Sequence, residues 1–184
     1  MKKVFLITFF LFFSFKAFSL EVTLTQGSVK PTPIAITELF SKNAQLTKVG
    51  KNISTVISDN LERSGLFLPI DKRSFIQDNE SLSNKPRFED WKLIKAQHLV
   101  SGKISNNNGK ISVEFRLFDV FQQKQIVGKK YETNEKNWRR VAHIISDSIF
   151  KNITGEGGYF DTRIVYVAET GPKENKQKRL AIMD

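Results

Sequence analysis

At 184 residues, with no cysteine and a formal net charge of +10, the chain is sized for one domain with a proper core. Its basicity favours acidic partners or anionic surfaces and says nothing about fold. The missing thiol excludes disulfide scaffolds, thiol catalysis, thiolate metal sites and a lipid anchor on an amino-terminal cysteine.

Met1, Lys2 and Lys3 make a positive start, and residues 4–15 are apolar apart from Thr8 and Ser14. That run is shorter than the roughly 20 apolar residues needed to cross a bilayer. Lys16 closes it, and Ala17-Phe18-Ser19 puts small residues at the two positions a signal peptidase reads. Together these make a secretory signal spanning residues 1–19, with the cut expected between Ser19 and Leu20. Its removal leaves 165 residues. Losing Lys2, Lys3 and Lys16 lowers the charge from +10 to +7. The expected destination is the periplasm.

Residues 20–26 alternate weakly, with Val22 and Leu24 set between Glu21, Thr23 and Thr25, and read as extended. Residues 27–33 hold two prolines, which predict neither a helix nor a central strand. Residues 34–36 enter the first core strand. From 46 to 63, Leu46, Val49, Ile53, Val56, Ile57 and Leu61 recur at steps of three and four, the signature of a helix with one apolar face. Gly65 suits a left-handed cap, and residues 66–70 predict a short buried strand. Residues 71–86 read as a polar loop. Residues 88–97 predict a short helix with Phe88, Trp91 and either Leu93 or Ile94 turned inward.

Residues 98–105 read as a strand, and Asn108-Gly109 as a hairpin turn, because both residues tolerate positive φ. The returning strand places Ile111, Val113, Phe115 and Leu117 on one face and Ser112, Glu114 and Arg116 on the other. A third strand is expected at 125–131. Asn134 is then placed to cap a helix whose apolar face is Trp138, Val141, Ile145 and Ile149, with Ile144 beside them. The order predicts an α/β sandwich over residues 34–154. Gly155, Gly157 and Gly158 then form a permissive joint within a linker at 155–162. Strands at 163–168 and 179–183 follow without further partners. A lone hairpin is marginal in water, so the chain is expected to stop inside a second domain.

Catalytic groupings are not legible. His98 and His143 are the two histidines, with no His-Glu-x-x-His spacing, so no metal site or cofactor is expected. His143, Ser146 and Asp147 share one helix and cannot form a relay, in which the base sits between its partners. Glu156 and Asp161 flank the joint as helix-end and turn residues. No Gly-Lys-Ser/Thr follows the glycines, so they are no phosphate loop. Lys173, Lys176, Lys178 and Arg179 read as a solvated loop, not a nucleic-acid surface.

The run from Arg140 to Ile149, then Thr154-Gly155-Glu156, then residues 158–167 including Phe160, resembles the TolB family of the Tol–Pal envelope system. Residues 179–184 match the family's second-strand motif. The resemblance implies an amino-terminal α/β domain followed by a β-propeller, of which the first two strands are expected at 163–184. It implies a periplasmic, non-enzymatic adaptor, monomeric, supporting outer-membrane integrity and constriction at division. Its extended tail (residues 20–33) would bind the carboxy-terminal domain of inner-membrane TolA, and its propeller the lipoprotein Pal. Leu20, Glu21, Val22, Thr23, Leu24, Thr25 and Val29 are the expected partner-binding residues, with Val22, Leu24 and Val29 as side-chain anchors. The same segment could instead be an edge strand of the domain, or exchange between the two states. The alternative function is a periplasmic enzyme or solute-binding module whose active propeller is absent from this chain.

Overall fold

Among the described residues, the first strand along the chain sits inside the sheet, not at its edge. The computed structural model describes residues 30–183. Strand β1 (Thr32–Ile36) is followed by helix α1 (Ala44–Arg63), β2 (Phe67–Pro69), two short helices α2 (Asn79–Asn84) and α3 (Phe88–Leu93), and the strands β3 (His98–Asn107), β4 (Lys110–Asp119) and β5 (Lys124–Thr133). Helix α4 (Trp138–Thr154) and the strands β6 (Ile164–Thr170) and β7 (Gln177–Met183) complete them. The main sheet runs β2-β1-β3-β4-β5. β1 is parallel to both neighbours, and the β3-β4-β5 meander is antiparallel. It is a mixed α/β fold, as expected.

Pro33 therefore lies in a central strand, against the expectation that two prolines would keep this stretch out of one. The register explains it. Thr32 donates its N–H to Leu66 O on the β2 side, while Pro33 O accepts from Gln97 N on the β3 side. The missing Pro33 donor faces β3 just before the ladder begins, at Ile34 opposite His98. No ladder bond is lost. The strand thus starts two residues inside the segment read as tail.

α1 begins two residues earlier than its apolar period suggests, because Asn43 Oδ1 accepts from the N–H groups of Gln45 (2.9 Å) and Leu46 (3.4 Å). It ends where Gly65, at φ +74°, turns its N–H back to Glu62 O. Leu46, Val49, Ile53, Ile57 and Leu61 are buried against Ile34, Ile36, Val100 and Ile104. α4 packs beside α1 through Val141, Ala142, Ile145, Ile149 and Phe150, joined by Val113, Phe115 and Leu117 of β4. Asn134 makes no side-chain cap bond. The turn Glu135–Asn137 intervenes, closed by Asn137 N to Asn134 O, and α4 starts after it.

The opposite face of the sheet carries a second core of Ala35, Leu82, Trp91, Ala96, Leu99, Phe118 and Val120. Here the expected loop at 71–86 is corrected: it contains α2, capped by Asp78 accepting from Ser81 N, and Leu82 is buried. Polar composition hid one apolar anchor and one organising amide. Gln77 donates to Lys85 O and accepts from Arg87 N and Trp91 Nε1. Of the two alternatives in α3, Leu93 is 74% exposed and Ile94 packs on the core.

Candidate functional site: the joint after α4

α4 ends at Gly155, which adopts φ +81° and donates its N–H to Lys151 O. The chain then folds back along the helix. Asp147, on the exposed side of α4, accepts from the N–H of Phe160 (2.7 Å) through Oδ1 and of Asp161 (3.1 Å) through Oδ2. Gly158 makes this approach possible, since a Cβ there would lie 2.3 Å from Asp147 Oδ1 and 2.5 Å from its Cα. Gly157 has open space around it. The Phe160 ring closes on Phe150 edge-on at 5.8 Å and on Tyr159 at 4.7 Å, while Tyr159 meets Phe150 at 5.6 Å. Arg140 reaches Asp161 at 3.4 Å. Of the expected joint residues, Gly158 and Phe160 come together on Asp147, while Gly155 ends the helix. Asp147 is the residue sequence reading missed: its spacing to Phe160 follows no local period, because the chain reverses between them.

Two N–H groups bound to one carboxylate are each worth about 1.5–3 kcal/mol, the range for hydrogen bonds to charged groups. Asp147→Ala should therefore speed amide hydrogen exchange at Phe160 and Asp161 by roughly ten- to a hundredfold, with the α1 amides unchanged. Unchanged exchange at 160 and 161 would remove Asp147 as the clamp.

Beyond the joint, β6 and β7 pair antiparallel from Ile164 opposite Met183 to Thr170 opposite Gln177. Val165, Val167, Leu180 and Ile182 are exposed on one face of the hairpin and Ile164, Tyr166 and Met183 on the other, so apolar side chains stand on both faces. A strand pair with two apolar faces is built to be covered on both sides. Lys178 and Arg179, expected in a loop, lie on β7 because it pairs back to Gln177. Lys176, in the turn, and Lys178 pair with Glu169 of β6 at 2.7 and 3.2 Å and hold its carboxyl below the usual range.

The histidines have separate roles. Asn60 Nδ2 lies 2.9 Å from His143 Nδ1 and 3.0 Å from Ser146 Oγ, tying α1 to α4. His98 starts β3 with Nδ1 buried and without a hydrogen-bond partner; burial lowers its pKa, opposed by the charge of Asp119. Among the described residues no group of three or more His, Cys, Asp or Glu could hold a metal ion, and no helix is long and apolar enough to cross a membrane. Ser19, Leu20, Glu21, Val22, Thr23, Leu24, Thr25 and Val29, with the signal segment, lie outside the described residues.

Residues 20–126 match the family described as the TolB amino-terminal domain. The chain belongs to the TolB family. It is 50% identical over 165 residues to the Tol-Pal system protein TolB of Paramagnetospirillum magneticum, covering 89% of this chain and 37% of that protein. It is 46% identical over 190 residues to the Tol-Pal system protein TolB of Pelagibacter ubique, covering 98% and 43%. The chain thus spans about two fifths of these TolB proteins. The crystal structure of TolB from Acinetobacter baumannii superposes with a TM-score of 0.68 at 24% identity, over 84% of this chain and 37% of that one, a likeness of fold.

Proposed function

We propose that the chain is a periplasmic, non-enzymatic adaptor of the Tol–Pal system that binds partners through protein surfaces and carries out no reaction. The observation that supports this most is the match of residues 20–126 to the TolB amino-terminal domain, with 46–50% identity to Tol-Pal system proteins. In this reading residues 1–19 are a secretory signal removed after Ser19. The segment from Leu20 to Val29 is captured by the carboxy-terminal domain of TolA, adding main-chain hydrogen bonds to a sheet edge. Val22, Leu24 and Val29 supply side-chain anchors. Ordering such a segment costs roughly 1–2 kcal/mol per residue, which keeps the affinity modest and reversible. β6 and β7 serve as the first strands of a propeller, whose proposed partner is Pal, and their two apolar faces suit that place. The adaptor so formed connects the envelope layers and supports outer-membrane constriction at division.

Calorimetric titration of residues 20–184 with the carboxy-terminal domain of the matching TolA tests the reading, repeated with residues 20–29 deleted. The deletion stops there because Thr32 already belongs to β1. Binding by the intact chain that disappears with the deletion is the expected result. Binding that survives would move the site onto the α/β domain. No binding by the folded, intact chain would overturn the adaptor.

A further inference from the structure

A cleft of about 260 Å³ lies where α1 and α4 face the joint and the start of the hairpin. Asn60, Arg63, His143 and Thr162 provide polar lining, and Tyr159, Phe160, Ile164 and Met183 the apolar part. None of the described lining residues is acidic.

The polarity of this lining is set from below. Ser146 donates its one hydroxyl hydrogen to Ala142 O at 2.9 Å, so its oxygen can only accept from Asn60. That turns the amide nitrogen of the buried Asn60 toward both Ser146 and His143. His143 Nδ1 must then be the acceptor, which leaves Nε2 as the ring's donor. Arg63, at the carboxy-terminal end of α1, is exposed and has no acidic partner among the described residues. The cleft therefore offers the Nε2–H of His143, a guanidinium and a hydroxyl, backed by an apolar surface. A donor-rich lining with no acid among the described residues selects an anion, and the apolar part selects one with a hydrocarbon body. Phosphate or sulfate would leave that surface unused.

Thr162 and Ile164 lie two residues apart on the chain entering β6, and Ile164 is paired with Met183 across the hairpin. The other edge of β6 is unpaired among the described residues. An extended peptide added antiparallel to that edge would bring its last residue to the cleft, which lies at the amino-terminal end of β6. We propose that this cleft receives the free carboxy terminus of a partner polypeptide with an apolar final side chain, the carboxylate held by Arg63 and His143 and the side chain by Tyr159, Phe160 and Met183. The site is independent of residues 20–29, so it stands or falls separately from the adaptor reading above.

The test uses the full chain, ¹⁵N-labelled, titrated with an N-acetylated tripeptide ending in leucine, once as the free acid and once as the carboxamide. The free acid is expected to shift the resonances of His143, Thr162 and Ile164, with the carboxamide binding at least about tenfold more weakly. Arg63→Gln, a change at an exposed position, should weaken the free acid about tenfold and leave the carboxamide unaffected. Thr162→Val should weaken the acid to a smaller degree. Equal binding of acid and carboxamide, no shift with either, or insensitivity to Arg63→Gln would each overturn the proposal. Acetate binding as tightly as the peptide would overturn it too, by showing a site for small anions.

Discussion

Gly102→Ala is expected to lower the stability of the α/β domain by about 3 kcal/mol or more, a large part of the 5–15 kcal/mol that holds a domain together. The position faces Phe115 in the β3–β4 ladder. A Cβ there would lie 2.1 Å from Glu114 O, 2.8 Å from Leu39 Cδ2 and 3.0 Å from Phe115 Cα. Two of those atoms are backbone in the middle of a long antiparallel pair, and the Phe115 side chain is fully buried, so neither can retreat without parting the strands. Leu39 is itself pinned, its N–H donating to Ser54 Oγ. Relief must come from lost pairing or displaced core, the two expensive routes for overpacking. Urea unfolding of the full chain, followed by circular dichroism, should show a midpoint lower by roughly 1–3 M. Gly157→Ala is the control: a Cβ there meets nothing within 4 Å, and its midpoint should stay put. Equal behaviour of the two variants would mean that the β3–β4 spacing is softer than its register suggests.

Trp91→Ala should be of similar severity by the opposite route, a loss of about 3–5 kcal/mol from a vacated site. Trp91 is 1% exposed, meets the Phe75 ring edge-on at 5.1 Å, and donates from Nε1 to Gln77 Oε1 at 3.2 Å. It is the largest side chain of the second core, and the short helices α2 and α3 cannot close over the space it leaves. For a chain of this length the melting temperature should fall by roughly 6–20 °C. Trp91→Phe keeps much of the apolar area and loses the indole N–H, while Gln77 retains Arg87 N and Lys85 O; it should cost about 1–2 kcal/mol. A Trp91→Ala protein that melts within a few degrees of the parent would show that residues 71–97 contribute little to the cooperative unit.

The periodic parts of the sequence were readable because burial there repeats. Leu46 to Leu61 and Ile111 to Leu117 each place an apolar residue at the step their element requires, and each became core. Asn108 and Gly109 turn with positive φ, as their side chains allow. What escaped reading depends on partners far away in sequence. Pro33 is tolerated in a central strand because of where β3 happens to begin. α2 is held by Gln77 and Leu82, single residues in a polar stretch without a period. Asp147 owes its role to a chain reversal that brings residues 158–161 back beside it. Even the joint glycines divide only in three dimensions. Gly158 is pressed against a helix while Gly157 touches nothing.

The seating of β1 also bears on how the molecule comes into being. Among the described residues it is the first strand to be made, yet its partners come later: Thr32 pairs with Phe67, and Ile34 with His98. β3, β4 and β5 close on one another through short turns and need no distant help. Loop-closure entropy therefore favours the meander, with α4 laid against it, as the early nucleus, and insertion of β1 between β2 and β3 as a late event. As the chain is synthesised amino end first, residues 32–36 arrive long before their slot exists. They must wait extended, with Ile34 and Ile36 in water, until β3 has emerged. In that interval the strand is open to a chaperone or to a neighbouring chain, so the rate at which residues 98–107 follow sets how long the nascent protein is exposed to mispairing.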